Sequence, residues 1–228
     1  MTITKHLNEL RQRLLRTLLV IGVLFILFFY YSNSLFNWIA QPLLSLLPAN
    51  SHMIATQVTS PLFIPLQLAF NLALLAASPY FLYQLWAYIA PALYHNERKL
   101  FYSLLALSAI LFLLGVGFCY TLVLPILFRF LTQTTPSAIT LMPDMAHYLN
   151  FISHFCLLFG LSFQLPLLNT LLVKINVISI TQLKKFRPYA IVFAFTLGML
   201  LTPPDVISQL LLAVPLCLLY ELSIILNR

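Results

Sequence analysis

Residues 83–99, YQLWAYIAPALYHNERK, decide the fold of this chain of 228 residues. An apolar run that begins near position 62 ends here in a short charged sequence, and another apolar run starts directly after Lys99. Roughly 20 apolar residues suffice to cross the hydrocarbon core of a bilayer. The stretch therefore predicts a tight loop between two membrane-spanning helices. Glu97, one of five carboxylates in the whole chain, lies inside that loop.

The composition of the chain excludes a water-soluble globule. Hydrophobic residues make up 61% of the sequence and charged residues only 7%, whereas soluble domains carry about 25% charged residues. The net charge is +7, but the basic residues flank apolar runs instead of forming one basic patch. That placement is typical of membrane topology and not of a nucleic-acid surface, so the lipid bilayer is the expected partner and nucleic acid is not.

The apolar runs predict an all-α polytopic membrane protein that forms a single integral membrane domain over residues 1–228. A polar amphipathic segment over residues 1–13 leads into the first span, and residues 36–47 predict an interfacial cap with Trp38 at headgroup level. A loop is expected from Pro125 to about His147, and Gly115 and Gly117 are expected to allow close helix packing. The six predicted spans cover about 14–34, 62–89, 100–124, 148–173, 189–202 and 206–222.

The last two spans are short. At 1.5 Å per residue they give about 21–23 Å of helix, against a hydrocarbon core of about 30 Å. Six crossings also satisfy the positive-inside rule, because they place all but one of the twelve basic residues on one side. Only Arg129 falls on the other side, so both termini are predicted to be cytoplasmic.

Glu9 and Glu97 share that cytoplasmic side and are the first candidates for a functional site. One interpretation is that each pairs with a neighbouring arginine, as exposed ion pairs do at about 0–1 kcal/mol. The other is that two carboxylates on an otherwise basic face form a selective site for a cationic ligand, especially arginine, whose planar fork matches a carboxylate. The residues alone leave both interpretations open.

Other polar groups predict supporting roles and no catalysis. Gln164, beside Pro166, is expected to hydrogen-bond across the helix bundle, and Asp205 is expected to cap the sixth span. The cysteines and histidines have no metal-ligand spacing. No catalytic arrangement or phosphate-binding loop is present either, so no enzyme activity, metal or cofactor is expected.

Short motifs are spread along nearly the whole sequence. They are His6-Leu-x-Glu9-Leu-Arg11-x-Arg13-Leu, Met53-Ile-Ala-Thr56, Ser60-Pro61, Tyr83-Gln-x-Trp86, Ile89-Ala-Pro-Ala-Leu-Tyr94, Glu97-Arg98, Arg187-Pro-Tyr189 and Met199-Leu-Leu-Thr-Pro-Pro-Asp205. In order and spacing these motifs resemble those of the TatC family, the receptor subunit of the twin-arginine protein translocase.

The resemblance implies a glove-shaped bundle of six spans in the bacterial inner membrane. Such a protein has no enzymatic activity, binds signal peptides that carry paired arginines, and helps to move folded proteins across the membrane. By this similarity Glu9 and Glu97 bind the arginines, while Arg11, Arg13 and Tyr88 shape the same cytoplasmic site.

The resemblance also implies partners. Pro42 belongs to the outer cap, and single-span subunits of the TatA/TatB type dock at Met199, Thr202 and Gln209, within a receptor complex that contains several copies of the chain. Many family members have glutamate where this chain has Gln164, so an ionisable group is missing at that position.

A small-solute secondary transporter is the alternative function. Proline-interrupted spans favour it, whereas the lack of an internal repeat and of carboxylates near the membrane midplane opposes it.

Overall fold

The computed structural model describes residues 2–44, 52–93, 98–134, 142–174, 177–201 and 206–227. Within these ranges nearly all residues are helical, and the one β-type contact is an isolated parallel bridge between Ile54 and Asp144. The helices are α1 (Thr2–Tyr30), α2 (Ser32–Leu44), α3 (Ser60–Leu93), α4 (Arg98–Phe118), α5 (Leu124–Thr134), α6 (Met145–Ser162), α7 (Leu165–Lys174), α8 (Ile180–Lys185), α9 (Arg187–Leu201) and α10 (Val206–Leu226).

Five helical segments of the described chain are long and apolar enough to cross a membrane, which confirms the predicted all-α polytopic fold. A sixth, Arg187–Leu200, is apolar but shorter. The five are Asn8–Tyr30, Ser60–Tyr88, Leu104–Thr134, Met145–Lys174 and Gln209–Leu226.

The helices group into two compact units. The first unit comprises Met1–Ala109 and Phe128–Ser153, and the second comprises Ile110–Leu127 and His154–Arg228.

In the first unit, α1 packs along α3. The polar start of the chain and the first apolar run form one continuous helix, as the amphipathic segment predicts. Many apolar side chains of α1 face outward, for example Leu14 at 61% and Ile26 at 70% exposure. Such exposure would be unfavourable in water, so these side chains are suited to contact with lipid.

Buried hydrogen bonds hold other parts of the first unit together. The Tyr148 hydroxyl donates to the carbonyl of Ile39 at 3.0 Å, which ties α6 to the cap helix α2. The indole N–H of Trp86 donates to the Ser108 hydroxyl at 3.1 Å, which links α3 to α4. Both contacts are buried, where a hydrogen bond offsets the cost of removing polar groups from water.

Asp144 closes a loop at the start of α6. One carboxylate oxygen accepts the backbone N–H groups of Ala146 and His147, both at 3.0 Å, which is the bonding of a helix N-cap. The other oxygen accepts the backbone N–H of Thr56 at 3.1 Å and its hydroxyl at 2.7 Å. Hydrogen bonds to the charged form, first from the His147 backbone and then from the Thr56 hydroxyl, lower the Asp144 pKa to about 2.

The prediction of a loop beginning at Pro125 is wrong, because α5 extends through Thr134. Proline has no N–H and its ring clashes with the carbonyl four residues earlier. A π-helical turn over Cys119–Val123 absorbs the mismatch, since the N–H of Leu124 donates to the carbonyl of Cys119, five residues back. The helix thus continues past the proline.

In the second unit, glycines allow α4 and α6 to approach closely. A Cβ atom on Gly115 would lie 2.6 Å from the carbonyl oxygen of Phe159, and one on Gly160 would lie 2.5 Å from the ring of Phe112. The expectation for Gly115 is therefore confirmed. Gly117 is a correction, because a Cβ atom there would meet nothing within 4 Å.

Polar contacts join α10 to its neighbours in the second unit. The buried Asn169 amide of α7 donates to the Ser223 hydroxyl at 2.9 Å. Arg187, at the start of α9, pairs with Glu221 at 2.7 Å. Since glutamate is a good helix former, α10 continues past Glu221 to Leu226, beyond the predicted end of the sixth span at position 222.

We predict that the bilayer is thinner beside α9 than beside α3. The 15 residues of α9 span about 22 Å, against a hydrocarbon core of about 30 Å. Cryomicroscopy of the protein in nanodiscs measures the distance between the two headgroup layers around each helix. A bilayer of equal thickness beside both helices would contradict this prediction.

We also predict that the Asp144 carboxyl titrates near pH 2 in the folded protein. A lowered folded-state pKa means that its contribution to stability is present above the ordinary value of 3.8 and is lost as the pH falls toward 2. Carboxyl NMR titration of the detergent-solubilised protein measures the midpoint. Thr56→Val removes one donor and should move the midpoint toward 3.8, whereas an unshifted wild-type midpoint would refute the proposed hydrogen bonding.

Candidate functional site

The candidate site lies where the first turns of α1 meet the last turns of α3. Its centre is an ion pair between Glu9 and Arg13, one helical turn apart on α1. The Nε and Nη2 atoms of Arg13 donate to the same oxygen of Glu9, Oε1, at 3.1 Å and 2.7 Å. Among the side chains that the structure describes, which on α1 begin at Asn8, none donates a hydrogen bond to the second oxygen, Oε2. The side chain of Glu9 is 43% exposed and that of Arg13 is 21% exposed.

Arg13 also joins α1 to α3. Its Nη1 atom donates to the amide oxygen of Gln84 at 3.0 Å, and its Nη2 atom donates to the backbone carbonyl of Ala87 at 3.3 Å. The guanidinium therefore bridges a carboxylate on one helix and two acceptors on the other. Such a planar fork can hold several acceptors in fixed directions, which an ammonium group cannot do.

The Gln84 side chain has a defined orientation. Its Nε2 atom donates to the Tyr80 hydroxyl at 2.6 Å, so its oxygen faces Arg13. Gln84 is only 6% exposed, and the Tyr80 ring stacks on that of Tyr83 with centroids 6.0 Å apart. Sequence analysis missed Gln84 and Tyr80 as site residues. The available signal was two polar side chains four residues apart in an apolar span, which share one face of a helix.

The other residues predicted for this site have different outcomes. Arg11 is exposed on α1, and no bond from it to Glu9 is present in the described structure. Tyr88 is half-buried on α3, next to the Ala87 carbonyl that Arg13 contacts. Glu97 lies outside the described residues. The structure thus brings together Glu9 and Arg13, while the pairing of Glu9 with Glu97 remains a prediction.

The predicted docking residues lie in the second unit, on α9 and α10. Met199 is 72% exposed. Gln209 uses its amide N–H₂ group to donate to the Phe195 carbonyl at 2.9 Å, and a Cβ atom on Gly198 would lie 2.9 Å from Gln209 Cγ. Gln209 therefore helps to pack α9 against α10, while Met199 presents an apolar surface. Thr202 lies outside the described residues.

The remaining predicted residues are spread along the chain. Gln164 is only 6% exposed and lies at the break between α6 and α7, where Pro166 cannot supply the N–H that a continuous helix needs. Its carbonyl accepts the N–H of Leu168 at 2.9 Å, so it helps to start α7. Pro42 lies in α2, the predicted cap. Asp205 is outside the described residues.

In the described ranges, no cluster of three or more histidine, cysteine or acidic side chains could hold a metal ion. What the site on α1 and α3 can do chemically is accept hydrogen bonds from a cation, through the partly exposed Glu9 carboxylate.

Comparison with known proteins identifies relatives over almost the whole chain. The family model for TatC, the Sec-independent protein translocase protein, matches residues 5–215. The Sec-independent protein translocase protein TatC of Haemophilus influenzae is 45% identical over 223 residues, which are 98% of this chain and 87% of that protein. The TatC protein of Escherichia coli strain K12 is 44% identical, over 98% of this chain and 86% of that protein.

A solved structure agrees in three dimensions. The crystal structure of a twin-arginine translocase receptor, TatC, superimposes with a TM-score of 0.88 at 38% identity and covers 97% of both chains. These relatives give no support to the alternative of a small-solute transporter. The family resemblance is confirmed, and the chain belongs to the TatC family of Sec-independent protein translocase proteins.

Proposed function

We propose that this chain is the signal-peptide receptor and core subunit of a twin-arginine translocase, which exports folded proteins. Family membership over residues 5–215 supports this role, as does the likeness to a structure described as a twin-arginine translocase receptor. The role is that of a receptor and not of an enzyme, so the chemistry to be explained is recognition of a peptide.

The observation that carries the proposal is the state of the Glu9 carboxylate. It is held in place by Arg13 through one oxygen and is still 43% exposed. A carboxylate fixed on a helix loses little conformational entropy when a ligand binds, which favours affinity. A guanidinium group that approaches from outside can therefore donate to a carboxylate that is already oriented.

The ligand chemistry that fits is a pair of arginines, with Glu9 and Glu97 as the two acceptors. Charge-assisted hydrogen bonds between guanidinium and carboxylate are directional and are about twice as strong as neutral ones. Arg11, Arg13 and Tyr88 complete the site in this proposal. The surrounding basic residues disfavour cations that cannot offer the matching geometry, which is a means of specificity.

The proposed topology places both termini and this site in the cytoplasm of a bacterium, with the chain in the inner membrane. The distribution of basic residues supports it. The proposed partners are TatA/TatB-type single-span subunits, docked around Met199, Thr202 and Gln209, and further copies of this chain. The 72% exposure of Met199 leaves its side chain accessible to a partner helix.

We predict that Glu9→Ala and Glu97→Ala each weaken binding of a twin-arginine signal peptide by about ten- to a hundredfold. This range corresponds to the loss of about 1.5–3 kcal/mol, the contribution of a hydrogen bond to a charged group. Binding to the protein in nanodiscs is measured for a peptide with two arginines and for the same peptide with two lysines, which should bind less tightly.

The matched control is Glu221→Ala, because that carboxylate is also paired with an arginine, Arg187, and is similarly exposed at 42%. It should leave peptide affinity unchanged. If the double variant of Glu9 and Glu97 keeps wild-type affinity and the preference for arginine, the proposed site is wrong.

We predict that Gln164→Leu lowers transport only in proportion to the abundance of the protein. An interhelical hydrogen bond in a membrane protein contributes about 0.6 kcal/mol on average, so a modest loss of stability is expected. Asn169→Leu is a control, because it removes another buried amide, bonded to Ser223. Abundance and export of a twin-arginine substrate are measured together. Blocked export at normal abundance in Gln164→Leu alone would show that this residue has a direct part in transport.

A further inference from the structure

The way Arg13 is held on α3 leads to an inference about specificity, which rests on the proposed function. We infer that Gln84, Tyr80 and Pro91 are positioning residues, which anchor Arg13 so that Glu9 offers one directed oxygen to an arginine of the peptide. None of the three needs to touch the peptide. They act through Arg13, and the result is discrimination between arginine and lysine.

Pro91 lies four residues after Ala87 in α3 and affects the bonding of the Ala87 carbonyl. In a continuous helix this carbonyl would accept the N–H of the residue four positions later. That residue is Pro91, which lies in α3 and has no N–H. The carbonyl is therefore left without its helical partner, and Arg13 Nη2 donates to it at 3.3 Å. A proline on α3 thus creates an acceptor for a cation on α1.

The amide of Gln84 is held in one of its two possible orientations. An amide can present either its oxygen or its N–H₂ group to a neighbour. Here the N–H₂ group is engaged by the Tyr80 hydroxyl at 2.6 Å, so the oxygen points toward Arg13 Nη1 at 3.0 Å. Because Gln84 is nearly buried, its amide has few other partners available. Tyr80 therefore keeps Gln84 in the orientation that attracts the guanidinium.

The contacts of Arg13 with Gln84 and with Ala87 together fix the position of the guanidinium. With Arg13 fixed on Gln84 and Ala87, its Nε and Nη2 atoms both donate to Oε1 of Glu9. No side chain that the structure describes from Asn8 onward donates to Oε2, and the Glu9 side chain is 43% exposed. The peptide is therefore offered a single oriented acceptor instead of a freely rotating carboxylate.

The preference for arginine over lysine follows from the pairing of Glu9 with Arg13. The charge of Arg13 already compensates that of Glu9, so a simple cation gains little Coulombic energy at this site. Recognition then depends on directed hydrogen bonds, for which the planar guanidinium is better suited than the ammonium group of lysine. Without the anchors, Arg13 and Glu9 would move independently, and the carboxylate would act as an ordinary negative charge that accepts either side chain.

The test uses full-length protein in nanodiscs and two synthetic signal peptides that differ only in Arg-Arg or Lys-Lys. The readout is the ratio of the two affinities, which a purely structural effect on the amount of folded protein does not change. Gln84→Leu and Pro91→Ala should each lower the ratio by about two- to tenfold, the range expected for one net hydrogen bond. Tyr80→Phe should lower it in the same direction. Arg13→Lys should also lower it, because an ammonium keeps the charge and loses the fork.

Two control variants lie on the same helix. Gln67→Leu removes a glutamine that is bonded to Asn150 and not to Arg13, and Pro65→Ala restores a backbone N–H near the start of α3, far from Tyr80 and Gln84. Both should leave the ratio unchanged. Pro91→Ala places a better helix-forming residue in α3, so it tests the inference even if Gln84→Leu fails to fold.

Each outcome has one meaning. An unchanged ratio in Gln84→Leu and Pro91→Ala, or an equal change in the two controls, would overturn the inference about positioning. If the wild-type protein itself shows no preference for arginine, the proposed function fails instead.

Discussion

Lipid cannot hydrogen-bond to the peptide backbone, and this constraint governs the whole structure. A membrane-spanning chain must satisfy its N–H and C=O groups internally, so only helices or closed barrels are possible. This chain uses helices, yet it carries 14 prolines, each of which removes one donor. Some carbonyls therefore lose their helical partners. The new partner of each one determines whether the helix continues, whether it breaks, or whether a side chain from another helix bonds there.

Three prolines illustrate three different solutions. Before Pro125 the helix widens into a π-helical turn, and the chain continues as α5. At Pro166 the helix breaks, and α7 starts again after Gln164. At Pro91 the helix remains continuous, and the freed carbonyl of Ala87 is contacted by Arg13 from another helix. The loss of one backbone donor thus changes the path of the helix in the first two cases. In the third case it leaves a carbonyl that accepts a hydrogen bond from a side chain on another helix.

The charged groups follow a related logic. Glu9 and Glu221 are each paired with an arginine at 2.7 Å, but the two pairs have different consequences. The pair of Glu221 and Arg187 connects α9 to α10. The pair of Glu9 and Arg13 lies on one helix and is anchored to a second through Gln84 and Ala87. Exposed ion pairs contribute little to stability, so in the proposed recognition of arginine the second pair acts through orientation.

The sequence by itself determined the class of the fold, the membrane as its solvent, and the family. These follow from long apolar runs and from motifs with fixed spacing, which are properties of the chain read along its length. It also predicted a role for Glu9, because a rare carboxylate is visible without coordinates, and close packing at Gly115, whereas Arg13 was implied only by the family resemblance. Only the tertiary structure decided that Arg13 contacts Gln84 and Ala87, which are 71 and 74 positions away. It also decided that α5 continues past Pro125 and that Gly117 faces open space. These outcomes depend on which helix faces meet and on which partner satisfies each polar group, and a one-dimensional pattern does not contain that information.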